Sequence, residues 1–181
     1  IYSKKISMAQ QKKVRILSLD GGGIRGIIPA TIIQYAEAYL QKKRPGTTIA
    51  DHFDFIAGTS TGGILTGIYL APQKEDNTKA KFSATEALKF YVDNGYDIFN
   101  ASKISGLEDT AKREFFVHDV LRSTSAAPTY FPPAKIKNLA TGPQKETTFS
   151  TMINLDGGVF ANNPTMCAYA EARNTNFKER A

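Results

Sequence analysis

Residues 14–19 form a short, mostly apolar run that ends at Asp20-Gly21-Gly22-Gly23, the pattern of a buried strand meeting a glycine-rich loop. Ile28, Ile32, Ala36 and Leu40 then recur every four residues, the period of one helix face. Lys42, Lys43 and Arg44 close that helix where its dipole is negative, and Pro45-Gly46 stops it. Residues 53–57 repeat the strand signal. Residues 64–70 follow as a helix apolar almost all round, hence buried, until Pro72. Strands alternating with helices imply an α/β fold with a mostly parallel sheet covered by helices.

Further along, residues 73–81 form a polar loop, and Ser83 with Glu86 makes a capping box for a third helix. Its apolar face reads Leu88, Tyr91 and Val92, and Asn94-Gly95 marks its expected end. Residues 101–116 carry no clear period, and residues 123–133, with three prolines, read as turns. Residues 152–155 lead as a strand into Asp156-Gly157-Gly158. Asn163-Pro164 then reads as the N-cap and first residue of a last helix running to about Arg173. The expected organisation is a polar extension over residues 1–13 and one domain over residues 14–181, without internal repeats.

With 181 residues and 41% hydrophobic content, the chain has the means to bury one core and is not of disordered composition. No run reaches the eighteen apolar residues of a membrane span, and residues 1–13 are too polar and lysine-rich for a signal-peptide core. The expected location is therefore cytoplasmic or peripheral at a membrane. One cysteine, Cys167, excludes an internal disulfide and reads as a small core residue of the last helix. The 23 basic against 17 acidic residues give a net charge of +6, a modest excess that favours anionic surfaces. The groups Lys4, Lys5, Lys12, Lys13 and Lys42 to Arg44 are more simply read as solvated charge than as a lipid-binding patch.

The chemistry concentrates at two turns. Gly58-Thr59-Ser60-Thr61-Gly62 fits G-x-S-x-G, a strand-to-helix turn so tight that glycines flank the serine and leave its hydroxyl exposed at the carboxyl edge of the sheet. The pattern alone recurs by chance in about one chain in fifteen to twenty of this length, so its strength lies in the strand before it and the buried helix after it. Ser60 at a helix N-terminus reads as the nucleophile of an ester hydrolase. The loop Gly21-Gly22-Gly23-Ile24-Arg25-Gly26 offers backbone N–H groups to an oxyanion. The same loop satisfies G-x-G-x-x-G, but the acidic residue that a dinucleotide site needs at the end of the second strand is replaced by the serine turn.

A serine nucleophile needs a base. His52 lies before the strand whose far end carries Ser60, and reads as structural; His118 lies in the unpatterned middle and reads as a surface or turn residue. Asp20 opens a glycine turn, where an aspartate more often bonds the loop's own amides than serves catalysis. Asp156 ends a strand before two glycines, which brings it to the sheet edge that carries Ser60.

DGGGIRG at Asp20 to Gly26, GTSTG at Gly58 to Gly62 and DGG at Asp156 to Gly158 together resemble the patatin-like phospholipases, a family of lipid acyl hydrolases. The segments 123–133 and Asn162-Asn163-Pro164 are similar to family sequence as well. The resemblance implies a three-layer α/β/α sandwich and a Ser–Asp dyad without histidine, carried here by Ser60 and Asp156. It also implies an oxyanion hole at Gly21, Gly22 and Gly23 with Arg25 close by, to which the amide of Thr61 is added. Asp20, Gly26, Gly58, Gly62, Gly157 and Gly158 complete the motifs. No metal and no cofactor are implied. Phospholipids or other glycerolipids are the implied substrates, with peripheral membrane contact and no nucleic acid. An acyltransferase using the same acyl-enzyme, or a silent lipid-binding or storage protein, are the alternatives. Two departures stand out: the stretch between Asn100 and His118 is short for the family, and a later strand with an S-x-G-T-G-like turn does not follow. The expectation is that segments near 100–118 and after 173 are missing.

Overall fold

The structure, a computed structural model, describes residues 13–100, 115–137, 139 and 151–175. Nearly all of the polar extension and of the unpatterned stretch falls outside these residues.

Strands β1 (Ile16–Leu19) and β2 (Phe55–Gly58) pair in parallel, with Ile16 opposite Phe55 and Leu19 opposite Gly58. At their amino ends the Arg15 carbonyl accepts the Asp54 and Phe55 N–H groups at 2.9 and 3.2 Å, while the Arg15 N–H turns to the Asp54 carboxylate at 2.9 Å. Both strands are shorter than their apolar runs. At their carboxyl ends the register brings the two exits level, and the Thr59 N–H extends the ladder to the Leu19 carbonyl at 3.1 Å. The glycine loop and the serine turn start side by side for that reason.

Helix α1 (Ile27–Gln41) follows a 3-10 turn over Gly23–Gly26 and buries Ala30, Ile33 and Glu37. The face read from sequence is not the buried one: Ile28 and Ile32 are 60% and 61% exposed, while Ala36 and Leu40 lie partly buried at its margin. Glu37 explains the rotation. Its carboxylate accepts the Ile49 N–H at 2.7 Å and the Ala84 N–H at 2.8 Å, each the first residue of a helical element, the 3-10 turn Ile49–His52 and helix α3 (Ala84–Asn100). A buried carboxylate satisfied at two helix N-termini fixes which side of α1 faces inward.

Helix α2 (Thr61–Leu70) runs through the core as its composition predicts, with residues 61–65, Ile68 and Tyr69 buried. The capping box of α3 forms as expected. The Ser83 N–H and hydroxyl each donate to Glu86 Oε2 at 2.8 Å, and the Glu86 N–H returns to the Ser83 hydroxyl at 3.2 Å. The helix then continues past Asn94-Gly95 to Asn100; the Asn94 side chain bonds the Phe90 carbonyl within the helix instead of ending it. Its inward face is Ala84, Ala87 and Tyr91 with Leu88 beside them, whereas Val92, one residue on from Tyr91, turns outward.

Two elements that the sequence pattern did not announce follow: helix α4 (Val117–Thr124) and strand β3 (Ala134–Lys137). Strand β4 (Thr151–Asn154) pairs with β3 in antiparallel fashion, Ala134 opposite Asn154. Among the described residues these two strands form their own sheet, so the strand before Asp156 does not lie beside β2. The short helix α5 (Gly158–Ala161) and helix α6 (Thr165–Asn174) complete the order. Asn163 Oδ1 accepts the Thr165 N–H at 3.0 Å and so caps α6 from just outside it. Helix α6 buries Ala168 and leaves Cys167 exposed, contrary to the core position expected for the cysteine, because only the Ala168 side of the helix is covered. The α/β class and the parallel pairing read from the sequence are present.

Candidate active site

Between β2 and α2 the chain reverses at one residue. Ser60 has φ +52° and ψ −122°, a conformation that costs a non-glycine residue about 1–3 kcal/mol and persists only where its surroundings impose it. Two glycines make the reversal possible. A Cβ on Gly58 would overlap the backbone of Gly62, and one on Gly62 would overlap the carbonyl of Leu19. Hydrogen bonds fix the geometry: the Ser60 N–H donates to Thr124 Oγ1 at 3.1 Å, and the Gly62 N–H to the Thr59 carbonyl at 2.9 Å. Ser60 itself is buried, at 8% exposure, contrary to the exposed hydroxyl expected of the turn, because that hydroxyl is bonded to the buried Asp156.

Asp156 reaches this serine from the other sheet. As the chain leaves β4, the Asp156 N–H donates to the Ala126 carbonyl at 2.9 Å and the Gly157 N–H to the Thr124 carbonyl at 3.1 Å. The aspartate loop is thus laid along the segment that leaves α4, which replaces the parallel-strand neighbour expected from the sequence. The Asp156 carboxylate, 7% exposed, accepts the Gly158 N–H on Oδ1 at 2.6 Å and the Ser60 hydroxyl on Oδ2 at 2.7 Å. A buried carboxylate with one oxygen held by a backbone amide presents the other to the serine in a fixed direction.

The glycine loop borders the same point. The Gly21 N–H is engaged by the Asn162 carbonyl at 2.9 Å, and a Cβ on Gly21 would press on Ser60 Cβ and overlap the Asn162 side chain. The Gly22 carbonyl accepts the Arg25 N–H at 3.2 Å and Arg25 Nε at 3.3 Å. In a trans peptide the Gly23 N–H points opposite to that carbonyl, so Arg25, itself exposed, orients the amide. Thr61, the first residue of α2, is held from behind. Its hydroxyl donates to Tyr91 Oη at 2.9 Å, and the Tyr91 hydroxyl donates to the Thr61 carbonyl at 2.7 Å. Burial pushes the Tyr91 phenol above its ordinary range, so it stays a donor. Gly26 closes against this pair, for a Cβ there would overlap the Thr61 hydroxyl.

Asp20 is exposed and its carboxylate accepts the Asn163 amide at 3.4 Å, rather than the amides of its own loop. It thereby links the loop to the cap of α6. His52 is buried before β2, with Nε2 2.8 Å from Thr47 Oγ1. His118 lies in the first turn of α4, stacked on Phe116 at 5.3 Å between ring centroids and 3.6 Å from the Asp119 carboxylate. Among the described residues no group of three or more His, Cys, Asp or Glu is placed to hold a metal ion, and no helix is long and apolar enough to cross a membrane.

Thr124, Asn162 and Tyr91 are the site neighbours that reading the sequence for chemistry passed over. Tyr91 carried a signal, since a buried tyrosine needs a partner for its hydroxyl; Thr124 and Asn162 lie in the segments similar to family sequence, with no chemistry of their own to single them out. An open groove of about 390 Å³ runs past Gly21, Gly22, Arg25 and Thr61, with Ile28 and Ile32 as an apolar wall.

The sequence has relatives among known proteins. The family model described as Patatin-like phospholipase matches residues 17–108 and 94–169. The chain is 35% identical over 221 residues to Patatin-like protein 2 of Oryza sativa subsp. indica, covering 88% of the chain and 53% of that protein. It is 33% identical to Patatin-like protein 1 of the same subspecies, covering 90% and 52%, and 34% identical to Patatin-16 of Solanum tuberosum, covering 68% and 44%. The chain spans about half the length of the curated relatives it matches. With the family model matching across most of the sequence, the chain belongs to the patatin-like phospholipase family.

Proposed function

We propose that this chain carries the centre of a serine acyl hydrolase that cleaves fatty acyl esters of glycerolipids, with Ser60 as nucleophile and Asp156 as its base. The observation that carries the reading is the 2.7 Å hydrogen bond from the Ser60 hydroxyl to Asp156 Oδ2 at a positive-φ turn. The Ser60 oxygen attacks the ester carbonyl carbon as its proton passes to Asp156. The resulting oxyanion accepts hydrogen bonds from the N–H groups of Gly22, Gly23 and Thr61, each such donor being worth about 2.7–4 kcal/mol in other hydrolases. Gly21, whose N–H is already engaged, and Arg25 hold that loop in place. Collapse expels the alcohol, which takes the proton from Asp156, and leaves an acyl-Ser60. Water then attacks the acyl group, gives its proton to Asp156, and the acid departs as the proton returns to Ser60.

The lipid preference rests on the groove. It shares Gly21, Gly22, Arg25 and Thr61 with the site, although neither Ser60 nor Asp156 lines it, and Ile28 and Ile32, both exposed, offer an acyl chain an apolar bed. The net charge of +6 favours contact with anionic membrane surfaces. Incubating the protein with a fluorophosphonate probe and with short- and long-chain esters tests the reading. The expected result is one covalent adduct on Ser60, whose formation abolishes ester hydrolysis; active protein without a Ser60 adduct overturns it.

A further inference from the structure

We propose that Thr124 is the positioning residue that sets Ser60 against Asp156, through its hydroxyl on the Ser60 N–H and its carbonyl on the Gly157 N–H. The proposal rests on the Ser60–Asp156 reading above.

Thr124 is the last residue of α4, 64 residues from Ser60, and it touches both halves of the site. Its Oγ1 lies 3.1 Å from the Ser60 nitrogen, and its carbonyl oxygen 3.1 Å from that of Gly157. The Ser60 N–H belongs to the one strained residue of the turn. Without the threonine hydroxyl that donor is left without this partner in a buried place, and the positive-φ conformation loses a bond that favours it. The rotamer is set by packing. The γ-methyl fills the space over Gly63, where an added Cβ would come within 2.7 Å of it, and a β-branched side chain is stiff about χ1. Neighbouring bonds tie the same two segments together: the Asn154 amide donates to the Ser123 hydroxyl at 3.1 Å, and the Asp156 N–H to the Ala126 carbonyl at 2.9 Å. Residues 123–126 are therefore the cradle on which the aspartate loop rests, and the Thr124 hydroxyl is its one side-chain bond to the nucleophile turn among those the structure gives.

Valine keeps the shape of threonine and removes the acceptor. Thr124→Val in the full chain should lower kcat about ten- to a hundredfold with KM within about twofold, the scale expected when a reacting group is misplaced by about an ångström. The rate of fluorophosphonate labelling should fall in step, with cooperative thermal unfolding retained. Thr124→Ser, which restores the hydroxyl, should recover most of the loss. Should the valine variant fail to fold, Thr124→Cys replaces it, since it keeps the shape of serine with a poor acceptor, and it must show the same deficit relative to Thr124→Ser. A folded Thr124→Val, or Thr124→Cys, with wild-type kcat overturns the proposal. So does a serine variant as impaired as the variant lacking the hydroxyl, which would make the γ-methyl packing responsible. Wild-type protein that never labels at Ser60 would sink the underlying reading and this proposal with it. Normal labelling of the wild type beside an unimpaired valine variant would sink the positioning role alone.

Discussion

Ser60 and Asp156, 96 residues apart in the chain, meet in a 2.7 Å hydrogen bond between the serine hydroxyl and aspartate Oδ2. Neither residue reaches this position by its own strand alone. The serine is presented by the reversal between β2 and α2, and the aspartate by a loop lying along the exit of α4. The contact therefore depends on how three segments are packed.

At Gly62 a Cβ would overlap the Leu19 carbonyl, a backbone group that cannot yield. Gly62→Ala should destabilise the protein by about 3 kcal/mol in urea denaturation, the upper end of overpacking costs. Gly46→Ala is the control. That glycine has φ +78° but open space around it, so the cost should be only the left-handed backbone penalty, about 1–2 kcal/mol. Equal losses at the two positions would show that the close approach to Leu19 is not what requires glycine.

Two buried tyrosines should respond in opposite ways to removal of the hydroxyl. The Tyr91 hydroxyl bonds both the carbonyl and the hydroxyl of Thr61, so Tyr91→Phe should cost about 1–3 kcal/mol and slow labelling of the neighbouring serine. The Tyr69 hydroxyl has no hydrogen-bond partner among the described residues, and Tyr69→Phe should be neutral or stabilising in the same thermal unfolding assay. A Tyr69→Phe loss as large as that of Tyr91→Phe would contradict this assignment of partners.

The cap of α3 gives a pH dependence. Bonds from the Ser83 N–H and hydroxyl hold the Glu86 carboxyl below its ordinary range. A depressed folded pKa means that the stabilisation is fully present above the unfolded glutamate value and is lost as pH falls through the folded one. Ser83→Ala should cost about 0.5–2 kcal/mol near neutrality, the usual loss for an N-cap. Stability measured against pH should show the Glu86→Gln variant weaker than wild type at neutral pH and converging with it in acid. A gap that widens on acidification would reverse the sign and exclude the capping box as its source.

The apolar wall of the groove predicts a chain-length effect. Ile28→Ser and Ile32→Ser should leave hydrolysis of a four-carbon ester nearly unchanged. For a twelve-carbon ester they should raise KM several-fold, since each removes part of an apolar contact worth about 1 kcal/mol or more. Equal effects on both esters would place the acyl chain elsewhere.

What the sequence made legible were features set by local rules. The two strands, the buried α2, the capping box of Ser83 and Glu86 and the glycine turns all follow from spacing and residue type, and the structure contains them. What escaped was decided by tertiary contacts. Helix α1 turns its Ala30–Ile33–Glu37 side inward because Glu37 binds two distant helix starts, which no periodicity in residues 28–40 records. Helix α3 passes through Asn94-Gly95 because local stop signals are worth only about 1 kcal/mol. The route of Asp156 was misread for the same reason. Its pairing partner, the segment after Thr124, looked like a run of turns, and a carbonyl ladder leaves no mark on side-chain pattern.

The most direct test of the account is the rate of Ser60 acylation in full-length protein carrying Asp156→Asn, measured beside wild type and Ser60→Ala with a fluorophosphonate probe and a chromogenic ester. The account predicts a covalent adduct on Ser60 in the wild type, none in Ser60→Ala, and a loss of about a hundredfold or more in the rate for Asp156→Asn, the scale of a lost general base. All three proteins should unfold cooperatively. A folded Asp156→Asn variant that acylates at the wild-type rate, or a His118→Ala variant as inactive as Ser60→Ala, would contradict it.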